Sequence, residues 1–244
     1  MKRSREKEMM DLPGNPTSVL EEDLRNLRVL NRRLGAYRGI RWSLKRLTGE
    51  RGARFSLLDV GAGSADIPET VVRWARRKGI EAWVVALEPN PVAARVAALQ
   101  IKGRTEIAVV RAEGFHLPFP SSSFDFVFAS QLLHHFSEGE IVALLREWSR
   151  VARRSVLVSD LIRHPLAYYG VWLLTRLFTR NPMTRVDAPL SVRRAFTRKE
   201  WREIFDRAAI GAFRLKTLFP FRLFAFFPKN HFTTSSRPAM PRSS

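Results

Sequence analysis

The apolar positions change period several times along this chain, and each change marks an element. Leu20, Leu24, Leu27, Leu30 and Leu34 recur every three to four residues and predict an amphipathic helix over 18–35. Ser18-Val19-Leu20-Glu21 reads as a capping box at its start. A second, shorter helix is expected from Tyr37 to Thr48. A short apolar run beginning at Phe55 then predicts a buried strand over 55–60. From there the pattern alternates: helix 66–78, strand 82–87, helix 91–101, strand 106–110, strand 124–129, helix 138–151 and strand 154–160. Such alternation predicts an α/β unit built on a parallel sheet. It breaks over 161–198, a helix at 198–209 returns to the core, and Phe213–Phe219 with Phe221–Phe227 read as an antiparallel pair around Pro220.

Length and composition narrow this picture. At 244 residues the chain can bury one full core, and we expect a single domain over 17–228. Residues 1–16 read as a flexible basic arm, and 229–244, rich in Ser, Thr, Pro and Arg, as a disordered tail. With no cysteine, the chain has no disulfide, thiolate metal site or cysteine nucleophile. The charged N-terminus has no apolar core of the signal-peptide kind, so the default compartment is the cytoplasm. The longest apolar stretch, Pro165–Phe178, is interrupted by Gly170, Thr175 and Arg176 and falls short of the roughly 20 residues that span a bilayer.

The candidate chemistry begins at Leu57-Leu58-Asp59-Val60-Gly61-Ala62-Gly63-Ser64-Ala65-Asp66, a buried strand running into a glycine turn and a helix start. Asp-x-Gly-x-Gly lets the backbone turn tightly and approach a ligand, although two glycines one residue apart also suit an ordinary strand-to-helix turn. The next strand, Trp83–Leu87, ends in Glu88-Pro89-Asn90-Pro91, placing a carboxylate at a strand's carboxyl edge, where it can take both hydroxyls of a ribose. Glu106–Val110 leads into Arg111-Ala112-Glu113-Gly114-Phe115-His116-Leu117-Pro118-Phe119, and Phe124-Asp125-Phe126-Val127 leads through Ser130 into Leu133-His134-His135.

In the order and spacing of these four motifs the chain resembles the class I S-adenosylmethionine-dependent methyltransferases, in their small-molecule branch of the type 11/25 kind. The resemblance implies a Rossmann-like, doubly wound seven-stranded sheet with an antiparallel last strand and a helical lid inserted over 161–198, before the last helix. It implies S-adenosyl-L-methionine as cofactor. Asp59, Gly61, Ala62 and Gly63, with Ser64, would cradle its methionine end. Glu88 would take the ribose, Pro89 and Asn90 would lie beside the adenine, Glu113 and Gly114 would meet its amino edge, and Ser130 would follow the fourth strand. Ala65 stands where the family usually has a third glycine; alanine keeps helical geometry, with Asp66 capping a helix that begins near Pro68. Asp59 and Asp66 suit an ammonium and a sulfonium better than a pyrophosphate.

Methyl transfer is an in-line displacement that mainly needs donor and acceptor held in line away from water. An oxygen acceptor gains from a general base, for which His134, His135 and His164 are the candidates, against capping or packing roles. Asp160 could orient a base or cap a helix. Tyr168, Tyr169 and Trp172 could wall an aromatic or apolar acceptor, with Arg193 and Arg194 holding an anionic group, or they are simply lid and core. The expected partner is a small-molecule acceptor methylated at oxygen or carbon. No histidine or carboxylate group shows metal-ligand spacing clear of the cofactor motifs. The net charge of +19 first suggests a polyanion, whether nucleic acid or a peripheral membrane surface, or else solvated arginine faces. Against a base methyltransferase, the chain has Ala129-Ser130-Gln131-Leu132 in place of Asn-Pro-Pro-Tyr, and no cysteine. An RNA methyltransferase using the basic face and a non-catalytic cofactor-binding protein stand as alternatives; the oligomeric state is unspecified.

Overall fold

A computed structural model describes residues 1–47 and 53–229. Seven strands form one sheet: β1 (Arg54–Val60), β2 (Glu81–Leu87), β3 (Ile107–Val110), β4 (Phe124–Ser130), β5 (Ala152–Leu161), β6 (Arg214–Leu218) and β7 (Arg222–Pro228). Their order is β3-β2-β1-β4-β5-β7-β6. β1 to β5 are parallel, and β7 runs antiparallel to both β5 and β6. The chain winds outward from β1 to β3 and then returns to lay β4 on the other side of β1. That reversal opens a crevice at the carboxyl ends of β1 and β4, where sheets of this kind bind ligands.

The apolar runs have a physical cause. Phe55 and Leu57 enter one buried cluster, while Leu58 and Val60 enter the cluster on the opposite face. Because both faces of β1 are covered, its apolar residues point to both faces instead of only one. Helices α2 (Ala36–Leu47), α3 (Asp66–Lys78) and α4 (Pro91–Gln100) contribute to the first cluster. α5 (Glu138–Val151) and α8 (Arg198–Ala208) contribute to the second, where Trp148, Trp201 and Phe205 are almost wholly buried. Each such side chain contributes about 1.5–3 kcal/mol. The capping box Ser137/Glu140 starts α5 and its counterpart Thr197/Glu200 starts α8, fixing both helices against the sheet.

Several expectations change in detail. α1 (Thr17–Arg33) begins after Pro16 without a side-chain cap, so Ser18 sits inside its first turn and no capping box forms there. The segment 161–198 folds as two helices, α6 (Pro165–Phe178) and α7 (Pro182–Arg194), capped by His164 and Asn181. Residues 1–16 are not a free arm. Arg3 donates to the carbonyls of Arg194 (2.7 Å), His134 (3.2 Å) and Phe136 (2.9 Å), and its guanidinium lies 3.9 Å from the Phe196 ring centre. The Met9 and Met10 amides both donate to the Asp187 carboxylate, at 2.8 and 2.9 Å. The segment is a strap tied across α7 and the loop after β4. Of the tail expected over 229–244, only Lys229 belongs to the described residues; its ammonium donates to the carbonyls of Ser149 and Ala152. Thr48, expected to close α2, also lies outside them.

Candidate active site

A cavity of about 640 Å³ occupies the crevice at the carboxyl ends of β1, β2 and β4, under α1, α7 and the strap. Asp59, Gly61, Ala62, Gly63, Glu88, Pro89, Glu113, Ser130, His134 and His135 all line it. Residues up to 76 positions apart in sequence are thus brought together by the ends of four strands, Glu113 following β3.

The β1–α3 turn is shaped for a ligand. Gly61 has φ +70°, and a Cβ there would lie 2.9 Å from Leu132. Gly63, at φ +53°, donates its amide to Glu88 Oε2 at 2.9 Å, while Glu88 Oε1 accepts from the Asn90 amide at 2.9 Å. Glu88 therefore ties the turn to the start of α4 and keeps further lone pairs for ligand hydroxyls. Ala65 adopts φ 58°, ψ 29°, a left-handed conformation that costs a non-glycine residue about 1–2 kcal/mol. The expectation that alanine simply continues helical geometry is corrected: glycine is usual at such a position because of this φ. Asp66, expected as a cap, instead accepts from the Tyr37 hydroxyl (2.8 Å) and Asn31 (3.1 Å).

The cavity's electrostatics oppose those of the whole chain. Asp23, Asp59, Asp66, Glu88, Glu113, Glu140, Asp187, Glu8 and Asp11 line it, against Lys7, Arg28 and Arg194. Burial, with Asp66 and Glu88 adding to it, pushes the Asp59 carboxyl well above its ordinary range. Burial also raises Glu88, against the two backbone amides that favour its charge. Asp23 and Asp187 are each pushed up to about 6, chiefly by burial and by neighbouring carboxylates. Asp59 Oδ2 and Ser130 Oγ are buried and have no hydrogen-bond partner. A cationic ligand with donor groups, which S-adenosylmethionine is, fits this lining: its charge offsets the carboxylates and its ammonium and hydroxyls suit the unpartnered acceptors.

The two histidines of the loop after β4 differ. His134 is 2% exposed, and its Nδ1 meets Asp160 Oδ1 at 2.7 Å. Burial would lower its pKa, but Asp160 and Glu8 outweigh it and push it up to about 9. With no cation between them, Asp160 and Glu8 thus hold the His134 proton more tightly than a free imidazole holds it. His135 reaches Asp11 through Nδ1 at 2.8 Å. Asp160, at the end of β5, does orient a histidine. Glu8 was not singled out from sequence, and nothing local in the charged segment Lys2–Glu8 distinguishes it; only the docking of the strap brings it to within 3.6 Å of His134 Nε2 and 3.7 Å of His135 Nε2.

Other candidates lie elsewhere. His164 caps α6 through Nδ1, accepting from the Leu166 amide at 3.2 Å, and stacks on Phe221 outside the cavity. Tyr168, Tyr169 and Trp172 do not line the cavity either; Tyr169 is 66% exposed, on a helix whose only fully buried residue is Thr175. Arg193 also lies outside the lining, its carbonyl accepting from Ser4 at 3.0 Å. Arg194 does line the cavity, but its guanidinium is already committed to the carbonyls of Glu6, His134 and His135 and to Glu8. Gly114 lies behind the lining: a Cβ there would meet Val60 at 3.1 Å, and its carbonyl takes the Trp148 indole N–H.

Residues 58–158 match a family model described as "Methyltransferase domain". Residues 58–158 therefore carry a methyltransferase domain of the kind that this model describes. That match makes it a methyltransferase enzyme. No curated protein matches the sequence. Among solved structures, a SAM-dependent methyltransferase from Aquifex aeolicus is similar at TM-score 0.60 and 18% identity, over 85% of this chain and 97% of that one. A putative S-adenosyl-L-methionine-dependent methyltransferase from Methanococcus maripaludis is similar at TM-score 0.60 and 13% identity, over 89% and 97%. Human N-acetylserotonin methyltransferase, solved in complex with SAM, is similar at TM-score 0.62 and 15% identity, over 88% and 56%. At these identities the likeness is one of fold. Among the described residues no helix is long and apolar enough to cross a membrane.

Proposed function

We propose that the protein transfers the methyl group of S-adenosylmethionine to the oxygen or carbon of a small, neutral or cationic molecule inside the strap-covered cavity. The carrying observation is the lining itself, in which the motif residues of β1, β2 and β4 share one acidic cavity of about 640 Å³ with the strap. In this reading Asp59, Gly61, Ala62 and Gly63 hold the amino-acid end of the cofactor, Glu88 takes its ribose hydroxyls, and Pro89 and Glu113 flank its adenine. The bound cofactor supplies an electrophilic methyl group. The chain's own residues hold the acceptor in line with it and exclude water, to which rigid α1, α7 and strap contacts contribute.

Two features support a small acceptor over a nucleic acid. One cavity must contain both molecules, and its carboxylates repel a phosphate backbone, whereas the basic excess lies mostly elsewhere on the chain. The acidic lining disfavours an anionic acceptor equally, and Arg194 is occupied. Glu8, His134 and His135 form the polar wall on the strap side, where an acceptor oxygen finds its partners.

Calorimetry with S-adenosylmethionine on the wild type, Asp59→Ala and Glu88→Ala tests the site; undiminished affinity in both variants refutes it. Labelled methyl transfer into the small-molecule fraction of a cell extract tests the acceptor class. Label appearing only in RNA would overturn the small-molecule reading.

A further inference from the structure

The strap side of the cavity holds an arrangement that cofactor binding does not use. His134 and His135 form the end of the short turn Leu133–His135, and Glu8 faces them from the strap. His134 Nε2 lies 3.6 Å from Glu8 Oε1 and His135 Nε2 lies 3.7 Å from Glu8 Oε2, and one atom from each of the three residues falls within 4.8 Å of the others. Glu8 and His134 are each 2% exposed, yet Glu8 Oε1 and His134 Nε2 have no hydrogen-bond partner. These two buried polar atoms face each other at ion-pair distance, too far apart for a hydrogen bond between them, and the gap suits a shared ligand that bonds to both.

The other ring nitrogens explain why both imidazoles present Nε2. His134 Nδ1 is held by Asp160 at 2.7 Å and His135 Nδ1 by Asp11 at 2.8 Å. A carboxylate behind each histidine fixes the tautomer and ring orientation and raises the basicity of the exposed nitrogen, as in carboxylate–histidine–metal triads. A tetrahedral cation with bonds of about 2.0–2.1 Å sets its donor atoms about 3.3 Å apart. Each imidazole comes within a few tenths of an ångström of that separation from one Glu8 oxygen, His134 from Oε1 and His135 from Oε2, and a donor set of one atom from each residue lies within 4.8 Å, so small side-chain adjustments close the shell on a cation. Charge argues the same way: Glu8, Asp11 and Asp160 contact the two imidazoles directly, whereas the guanidinium of Arg194 reaches only Glu8 among these carboxylates, at 3.7 Å. Neutral imidazoles would leave negative charge in excess.

We propose that Glu8, His134 and His135 bind one divalent cation of the zinc class, with Asp160 and Asp11 orienting the histidines and a fourth position open to the cavity. Two imidazoles and a carboxylate suit Zn²⁺ or Co²⁺ better than Mg²⁺ or Ca²⁺, which prefer all-oxygen sets. If the methyltransferase site is as proposed above, this open position would take an acceptor bearing an oxygen; that consequence rests on the site reading, whereas the metal site does not. Because the strap supplies one ligand, the cation would also fasten the strap.

The test uses the full-length, tag-free protein, stripped of metal by chelator and titrated with Zn²⁺ by calorimetry and with Co²⁺ by visible absorption. One equivalent of cation, with the intense absorption of four-coordinate Co²⁺, is expected. Glu8→Gln and His135→Ala should abolish stoichiometric binding, and Asp11→Asn should weaken it by about 10–100-fold. Circular dichroism of each variant confirms that it is folded. Absence of stoichiometric binding, or binding that survives Glu8→Gln, overturns the proposal. S-adenosylmethionine titrated into the same stripped sample separates the two readings: cofactor binding without metal binding sinks only the metal site, and the reverse sinks only the cofactor site.

Discussion

Replacing Arg3 by alanine should release the strap while leaving the domain folded. Ordering residues 3–11 costs about 1–2 kcal/mol each in backbone entropy, a total of roughly 9–18 kcal/mol, so docking is a near balance of large terms. Arg3 is a large part of the favourable side. It makes hydrogen bonds of 2.7, 3.2 and 2.9 Å to three carbonyls, and its guanidinium covers Phe196 at 3.9 Å. Bonds from a charged donor contribute about 1.5–3 kcal/mol each and a cation–π contact about 0.5–2 kcal/mol, without full additivity. A loss of about 3 kcal/mol is conservative, and it shifts the docking equilibrium roughly 100-fold. Hydrogen exchange reads this at the Met9 and Met10 amides, which Asp187 protects only while the strap is down. Their exchange should quicken at least tenfold in Arg3→Ala, with the β4 and β5 amides unchanged. Arg3→Lys should fall between, since an ammonium cannot reproduce the planar fork. Because Lys7, Glu8, Met10 and Asp11 line the cavity, S-adenosylmethionine should also dissociate faster. Unchanged protection at Met9 and Met10, or loss only together with global unfolding, would refute the reasoning.

Three further outcomes are expected. Glu88→Gln places an amide N–H₂ against one of two backbone donors, those of Gly63 and Asn90, and should weaken S-adenosylmethionine by about 1.5–3 kcal/mol, or ~10–100-fold, by calorimetry; affinity within twofold of the wild type would count against the role of Glu88. Asp23, buried and pushed up from 3.8 to about 6, binds its proton more tightly folded than unfolded, so its stabilisation is complete below about pH 4 and lost as pH rises through about 6. Asp23→Asn stays neutral and keeps an acceptor for the Thr184 hydroxyl, so it should match the wild type near pH 4 and be more stable by about 2 kcal/mol at pH 7, roughly 4–8 °C in Tm. Parallel melting curves across that range would contradict it. The double variant Tyr169→Ser/Trp172→Ser lies outside the cavity and should leave cofactor affinity within twofold; a tenfold loss would return these residues to the site.

The sheet was legible because strands covered on both faces write short, densely apolar runs, as at Trp83–Leu87, and because helices between such strands change the period. The cofactor turn was legible for a related reason: Gly61 and Gly63 occupy left-handed backbone positions within a few residues of Asp59, so the constraint is local. The strap was not, since Arg3 acts on carbonyls 131 to 191 residues away and a run of Lys, Arg and Glu carries no period. His164 misled because an imidazole that caps a helix and one that takes a proton look alike in sequence. The apolar content of α6 misled more deeply. Leu166, Tyr169, Leu173, Leu177 and Phe178 are all more than half exposed, so their hydrophobicity does not report the direction in which the helix turns them.

Net charge does not report the electrostatics of the cavity, for a reason that bears on function. A sum over the chain gives +19, whereas nine of its 23 carboxylates converge on one cavity that only three lysine or arginine side chains line. A low-dielectric cleft concentrates the field of those carboxylates, so a ligand entering it meets negative potential whatever the outer surface carries. The raised pKa values of Asp23, Asp59, Glu88 and Asp187 are the energetic trace of that crowding. A cationic cofactor lowers them as it binds. Binding and proton release are therefore coupled, with the strongest coupling near pH 6, where Asp23 and Asp187 titrate. The basic excess and the acidic cavity are thus separate features of the chain, and the cavity is the one that bears on the methyl donor.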